Sequence, residues 1–342
     1  MNFPESYFKE TLCDLIAIDS PSGYTDKAAD KVKAYIDELG YKNYKTLKGD
    51  LVAEIPGKSD KTIGIGAHID TLGLVVSRIK SDGTLSFVKV GGSILSTLDG
   101  EYCKVYTRWG DVYTGTILSN SPSSHTYADA HELKREPENM HIRLDEEVHN
   151  AEDAKKLGIL AGDFICYEPK SVFTEKGFIK SRFLDDKLGV AIILSLLKHY
   201  KDTNIVPAHN VSVVFTVYEE VLHGLSYLPT PVHEFISIDM GCVGGEHTGT
   251  EYDACICAGD GSGPYDYELT TRLVKLAKDN GLSFAVDVYQ RYISDISVAR
   301  RAGHDFKGAV MGPGVAASHG MERSHIRASE NAWKLLNLYL TV

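Results

Sequence analysis

The chain reads as an α/β protein: a mostly parallel sheet covered by helices on both faces, interrupted by a small antiparallel β domain. Three observations predict this. Short, continuously apolar runs such as TIGIGA (62–67), VSVVFTVY (211–218) and FISID (235–239) are interleaved with helical periodicities, the pattern of strands buried on both faces. Residues 73–172 instead carry short alternating stretches (LVVSRI, LSFVKV, YCKVYT, DVYTGTIL, DFICYE) separated by turn signals at Ser81-Asp82-Gly83, Gly91-Gly92 and Trp109-Gly110-Asp111. The α/β pattern resumes after them, so the alternating block is an insertion within one larger domain rather than a tail.

The elements follow in order. TDKAADKVKAYIDEL (25–39) predicts an amphipathic helix with Ala28, Val32, Tyr35, Ile36 and Leu39 on its apolar stripe, Thr25 as its cap and Gly40 as its stop. Strands are expected at 50–55 and 62–67, then a nearly all-apolar buried helix at 189–200. Beyond it, strands at 211–218, 235–239, 253–258 and 284–289 alternate with helices at 270–279, 294–302 and 329–340. The polar stretch 121–152 reads as a long exposed loop, and Gly259-Asp-Gly-Ser-Gly263, which lacks Walker spacing, as a turn. The expected division is a discontinuous α/β domain of residues 1–72 and 173–342, with 73–172 as the inserted β domain.

Composition narrows the function. With 36 Lys and Arg against 47 Asp and Glu, the net charge of −11 argues against nucleic acid or an anionic membrane as partner. No run approaches 18 apolar residues, and the acidic N-terminal stretch lacks the pattern of a signal peptide. The six cysteines (13, 103, 166, 242, 255, 257) form no CxxC pair and read as reduced thiols; a cytoplasmic location is expected.

The chemistry collects at strand ends. In AHID, His68 and Asp70 flank Ile69 and share one face; FLDDKLG sets Asp185 and Asp186 before the buried helix; VYEEVLHG places Glu219 and Glu220 after a strand; SIDMG ends another strand at Asp239. GVAASHGMERSH adds His319 and His325 before the last helix. Each has an ordinary reading: Asp caps helices, and an EE pair suits a solvated strand end. Together they put a carboxylate or imidazole at nearly every strand end of one sheet, where ligands of open α/β sheets bind. Such a crowd of carboxylates repels itself unless cations sit among it, and a thiolate-free His and carboxylate set suits Zn, Co or Mn.

GAHIDTLGLVV, FLDDKLG, VYEEVLHG and SIDMGCVG, in this order, resemble the M42 family of metallo-aminopeptidases, which includes the glutamyl aminopeptidases and TET peptidases. The resemblance spans essentially the whole chain. It implies a peptidase-type α/β sandwich with an inserted PDZ-like, barrel-like dimerisation domain, and a homo-oligomer of dimers assembling to a dodecamer. It implies hydrolysis of N-terminal residues from peptides at two divalent metal ions per subunit, zinc first, with cobalt or manganese as alternatives. Asp185 would bridge both metals, His68 and Asp239 would complete one site, and Glu220 and His319 the other. Glu219 would be the general base, and Asp70 would hold the far nitrogen of His68. Relatives often carry His-Ser at the last ligand, whereas this chain reads His319-Gly320, so His325 stays a second candidate.

Rival readings use fewer of these residues. A glycosidase with Glu219 and Glu220 needs carboxyls facing each other across a bond, while neighbours on an extended backbone face opposite ways. A purely structural metal site would not require the extra carboxylate of Glu219. An M20-type amidohydrolase or deacylase with the same dinuclear chemistry is the closest alternative, separated by its need for an N-acylated substrate.

Overall fold

The computed structural model describes residues 2–342. The chain divides into two compact units, residues 1–71 with 170–342, and residues 72–169.

The first unit begins with α1 (Glu5–Ile16) and α2 (Asp26–Leu39), followed by β1 (Lys42–Lys45), β2 (Leu51–Ile55) and β3 (Thr62–His68). The predicted helix is α2, and its stop is as expected: Gly40 takes the left-handed conformation at φ 76°. Its start differs, for the Thr25 side chain makes no capping bond. The helix α1 has no counterpart among the elements expected from the sequence.

The second unit is a closed barrel. It contains β4 (Gly73–Ile79), β5 (Leu85–Val90), β6 (Tyr102–Tyr106), β7 (Val112–Ser119), β8 (Met140–Leu144) and β9 (Phe164–Tyr167), closed in the order β4-β5-β8-β7-β6-β9. Leu74, Val76, Phe87, Val105, Ile117, Ile142 and Ile165 fill its interior, as the alternation requires. The short helix α3 (Ala151–Lys156) precedes β9, capped by the Asn150 side chain. The stretch 121–152 is therefore not all loop: β8 lies within it and pairs with β7.

The first unit then resumes with β10 (Val172–Phe173), β11 (Phe178–Ser181), α4 (Leu184–Thr203), β12 (Asn210–Thr216), β13 (Glu234–Ile238), β14 (Gly241–Val243), β15 (Ala254–Asp260) and β16 (Gly263–Pro264). It ends with α5 (Tyr267–Asp279), β17 (Phe284–Tyr289), α6 (Asp295–Arg301), β18 (Lys307–Ala316), β19 (Glu322–His325) and α7 (Ile326–Thr341). The Gly259–Gly263 stretch closes the β15–β16 hairpin.

The centre of its sheet is the parallel set β12-β3-β13-β18, with antiparallel neighbours at both sides. Alternate residues of each central strand enter two cores. Val213, Phe215, Ile236 and Ile238 pack with α1, α2, α4, α5 and α7; Val214, Phe235 and Val310 pack with Ile296 of α6 on the other face. Two-faced burial is why these strands read as continuous apolar runs. Gly64 and Gly66 in β3 make room for Phe235, whose ring would lie 2.2 Å and 2.9 Å from a Cβ at those positions. Gly189 lets α4 approach the end of β13, since a Cβ there would meet the Ile238 carbonyl at 2.4 Å. Among the described residues no helix is long and apolar enough to cross a membrane.

Candidate metal centre

The parallel strands fix one end of the sheet as a meeting point. Thr216 at the end of β12 stands beside His68 at the end of β3, and β13 and β18 run the same way, so their carboxyl ends open together. His68, Asp70, Asp185, Glu219 and Asp239 are all buried there, and the Glu220 side chain is 4% exposed. Solvation is thus excluded as the explanation of the EE pair. Nor are the two glutamates on extended backbone: β12 stops at Thr216, and Glu219–Val221 is a single 3₁₀ turn that directs both carboxylates inward.

His68 Nε2 lies 3.1 Å from Asp185 Oδ1 and 3.7 Å from Glu219 Oε2. His319 Nε2 lies 3.4 Å from Asp185 Oδ2 and 3.4 Å from Glu220 Oε2. Asp185 therefore stands between the two imidazoles, one oxygen toward each. His319 is the more open of the pair, its side chain 33% exposed. His325 is turned elsewhere: its Nε2 donates to the Lys176 carbonyl at 2.7 Å, and its Nδ1 accepts the Arg327 amide at 3.1 Å. Both its nitrogens are in use.

One position differs from the sequence reading. The far nitrogen of His68 bonds the backbone carbonyl of Asp70 at 2.8 Å, while the Asp70 carboxylate stands 3.7 Å away. That carboxylate instead accepts the amides of Glu219 (3.1 Å) and Glu220 (3.2 Å) and the Ser22 hydroxyl (2.5 Å). It therefore fixes the turn that carries both glutamates. Asp186, read only as a cap, is one: Oδ1 accepts the Gly189 amide at 3.1 Å, and regular helix begins after it. Its Oδ2 accepts the His68 amide at 3.3 Å.

Ligand-type atoms cluster in two groups, His68 with Asp185 and Glu220, and His68 with Asp186 and Asp239, each within 4.8 Å. Asp186 accepts two amides, whereas Asp185 faces both imidazoles and accepts the Ser318 hydroxyl at 3.3 Å. Glu322 is not among the residues expected from the sequence. It is 2% exposed and accepts the amides of Asp185 (3.2 Å) and His319 (3.1 Å). The acid three residues beyond His319 was its one visible mark.

The electrostatics are those of an acid pit short of cations. Burial, reinforced by neighbouring acids, pushes Glu219, Glu220 and Asp186 well above their ordinary values and Asp239 up to about 7. Burial and the Asp185 charge push Glu322 up to about 8. Burial pulls the imidazoles down, but their bonds to Asp185 and the surrounding acids outweigh it, raising His319 to about 10 and His68 well above normal. The same two imidazoles hold Asp185 below the usual carboxylate range against the effect of burial. Glu220 Oε1 is buried without a hydrogen-bond partner. An orphaned carboxylate oxygen, in a pit where acids outnumber imidazoles, fits a bound divalent cation.

Comparison with known proteins agrees. A profile of the M42 glutamyl aminopeptidase family matches residues 49–335. YhfE of Bacillus subtilis (strain 168), which carries a provisional aminopeptidase name, is 38% identical over 333 residues, 97% of this chain and 96% of the relative. The glutamyl aminopeptidase of Lactococcus lactis subsp. cremoris (strain MG1363) is 29% identical over 191 residues, 55% of this chain and 53% of the relative. In fold, the chain superposes on aminopeptidase APDkam598 from Desulfurococcus kamchatkensis with a TM-score of 0.87 at 24% identity, over 98% of this chain and 95% of that one. On the Pyrococcus horikoshii TET1 peptidase, which can assemble into a tetrahedron or a large octahedral shell, the TM-score is 0.86 at 24% identity, covering 98% and 99%. The class is that of an aminopeptidase-type hydrolase on an α/β sandwich with a barrel insertion. Within that class, the chain belongs to the M42 aminopeptidase family.

Proposed function

We propose that this chain is a metal-dependent aminopeptidase that removes N-terminal residues from peptides at a dinuclear centre. His68, Asp185 and Asp239 would hold one divalent cation, and Asp185, Glu220 and His319 the other. Zinc is the first choice, with cobalt and manganese as substitutes. The observation that carries this reading is the orphaned, buried oxygen of Glu220 among acids raised by burial and mutual repulsion. Bound there, the cations would polarise the scissile carbonyl and acidify water at neutral pH.

The rest belongs to the chain itself. Glu219 is the general base: it takes a proton from the attacking water and returns it to the leaving amine. Burial and its acidic neighbours raise its affinity for that proton. Asp70, through the two amides it accepts, holds Glu219 and Glu220 in the register that separates base from ligand. The unit 1–71 with 170–342 carries the chemistry, and the barrel unit would serve subunit contact. A cytoplasmic homo-oligomer of dimers, up to a dodecamer, is the assembly proposed, by analogy with the solved dodecamer of PhTET1-12s.

The test is an assay on free and N-acetylated aminoacyl anilides, after chelation and after adding back Zn, Co or Mn. Metal-restored release from free substrates alone supports the reading. Cleavage of the acylated compounds alone would make the chain a deacylase instead.

A further inference from the structure

The two histidine–acid contacts of the pit come from segments far apart in the chain, and one buried carboxylate touches the backbone of both. Glu322 opens β19, and Ser181, which pairs with it, closes β11. From this strand its Oε2 accepts the amide of Asp185, 137 residues away, at 3.2 Å. Its Oε1 accepts the amide of His319, three residues away, at 3.1 Å. Neither recipient sits in regular structure. Asp185 lies in extended conformation (φ −79°, ψ 103°) ahead of the regular part of α4. His319 has φ 64°, in the left-handed region, where a side chain is strained unless the surroundings hold it.

We infer that Glu322 is a positioning residue: it ties the Asp185 and His319 backbones to one carboxylate and thereby sets the spacing of the ligands around the second cation. The inference rests on the dinuclear reading above. Its logic is geometric. Glu322 binds the amides, while the side chains of Asp185 and His319 face each other, Nε2 to Oδ2 at 3.4 Å. The first cation site shares Asp185 but otherwise draws on His68 and Asp239, which lie at strand ends of the central sheet and have no bond to Glu322, so the clamp holds one of its ligands against two of the second site's. Asp239 is fixed through its own amide on Met311. Loss of the clamp should therefore fall unevenly on the two sites. Outer partners of metal ligands commonly alter affinity by about 10–100-fold.

The experiment is chelator competition on the full chain, reading cobalt(II) absorption for each equivalent, with wild type, Glu322→Gln and His319→Ala compared. Glutamine keeps the volume and one acceptor but turns an NH₂ group toward the other amide. The expected result is a 10–100-fold weakening of one equivalent in Glu322→Gln, the same equivalent that His319→Ala loses, with the other within about threefold of wild type. If glutamine impairs folding, Glu322→Asp, which keeps the charge but shortens the reach, is scored in the same way. Two equivalents of unchanged affinity, or equal weakening of both, overturn the role of Glu322. A wild-type chain that binds fewer than two equivalents overturns the dinuclear reading itself, which keeps the two failures distinct.

Discussion

One strand carries an acid at each end, and the two could hardly differ more. Glu234 opens β13 and Asp239 follows its last residue; both are buried, 7% and 2% exposed. Burial pushes Glu234 upward too, but the Tyr339 hydroxyl, the Arg272 guanidinium and Lys61 Nζ at 3.1 Å outweigh it and bring its pKa down to about 2. Asp239 is pushed up to about 7 by burial and the Asp185 charge, and its Oδ1 accepts the adjacent Met240 amide at 2.7 Å. Burial is common to both, so the neighbours decide the sign. At the amino end the protein supplies its own cations, and the acid is complete. At the carboxyl end it gathers acids around two imidazoles, and the balance has to come from a ligand.

Replacing Glu219, the proposed base, should break the carboxyl end most severely. Glu219→Gln is expected to keep both metal equivalents and lower kcat by about three orders of magnitude, within the range measured for general bases. Turnover of a free aminoacyl anilide beside elemental analysis checks it. A variant keeping more than about a tenth of wild-type turnover would exclude Glu219 as the base.

The amino end predicts a smaller effect of a different kind. Glu234 has a folded-state pKa of about 2, below its ordinary 4.5. Its contribution is therefore present above pH 4.5 and lost as pH falls from there through about 2. The shift sets a ceiling of about 3 kcal/mol. Arg272 and Lys61 are 45% and 33% exposed, so solvent screening reduces this to about 1–2 kcal/mol. Denaturant melts should show Glu234→Gln less stable by that amount at pH 7, with the gap roughly halved by pH 3 and closed only below about pH 2. A metal-dependent rise in Tm should survive the substitution unchanged. If it disappears, the two ends of β13 are coupled and the comparison fails.

What the sequence makes legible follows the same division. Strands buried on both faces announce themselves, and a polar residue closing an apolar run stands out, which is how His68 and Asp239 could be read. The acids of 219 and 220 were visible as types but not as an arrangement, because a 3₁₀ turn after Thr216 replaces the alternation of a strand. Asp70 was placed near His68, yet its carboxylate serves amides 149 and 150 residues away. Glu322 is visible in the sequence only as an acid three residues beyond His319. A side chain that bonds backbone amides across 137 residues leaves no spacing to recognise, since an amide carries no residue identity.

The two histidines of SHGMERSH are both candidates in sequence, His319 first and His325 second, and they give the finest test. His325 is 3% exposed, accepts the Arg327 amide at the start of α7, donates to the Lys176 carbonyl, and meets the Phe178 ring edge-on with centroids 5.0 Å apart. Its role is to cap a helix and pin it to the β11 hairpin. His325→Ala should therefore cost about 1–2 kcal/mol from the lost cap and ring contact, a Tm lower by a few degrees, with both metal equivalents and kcat retained. His319→Ala should do the reverse, removing one equivalent while leaving the metal-free melt nearly where it was. Metal lost from the alanine variant at 325 and kept at 319 would exchange the two assignments. The acid left without a cation partner would then be Glu220, whose second oxygen His319 now faces at 3.4 Å.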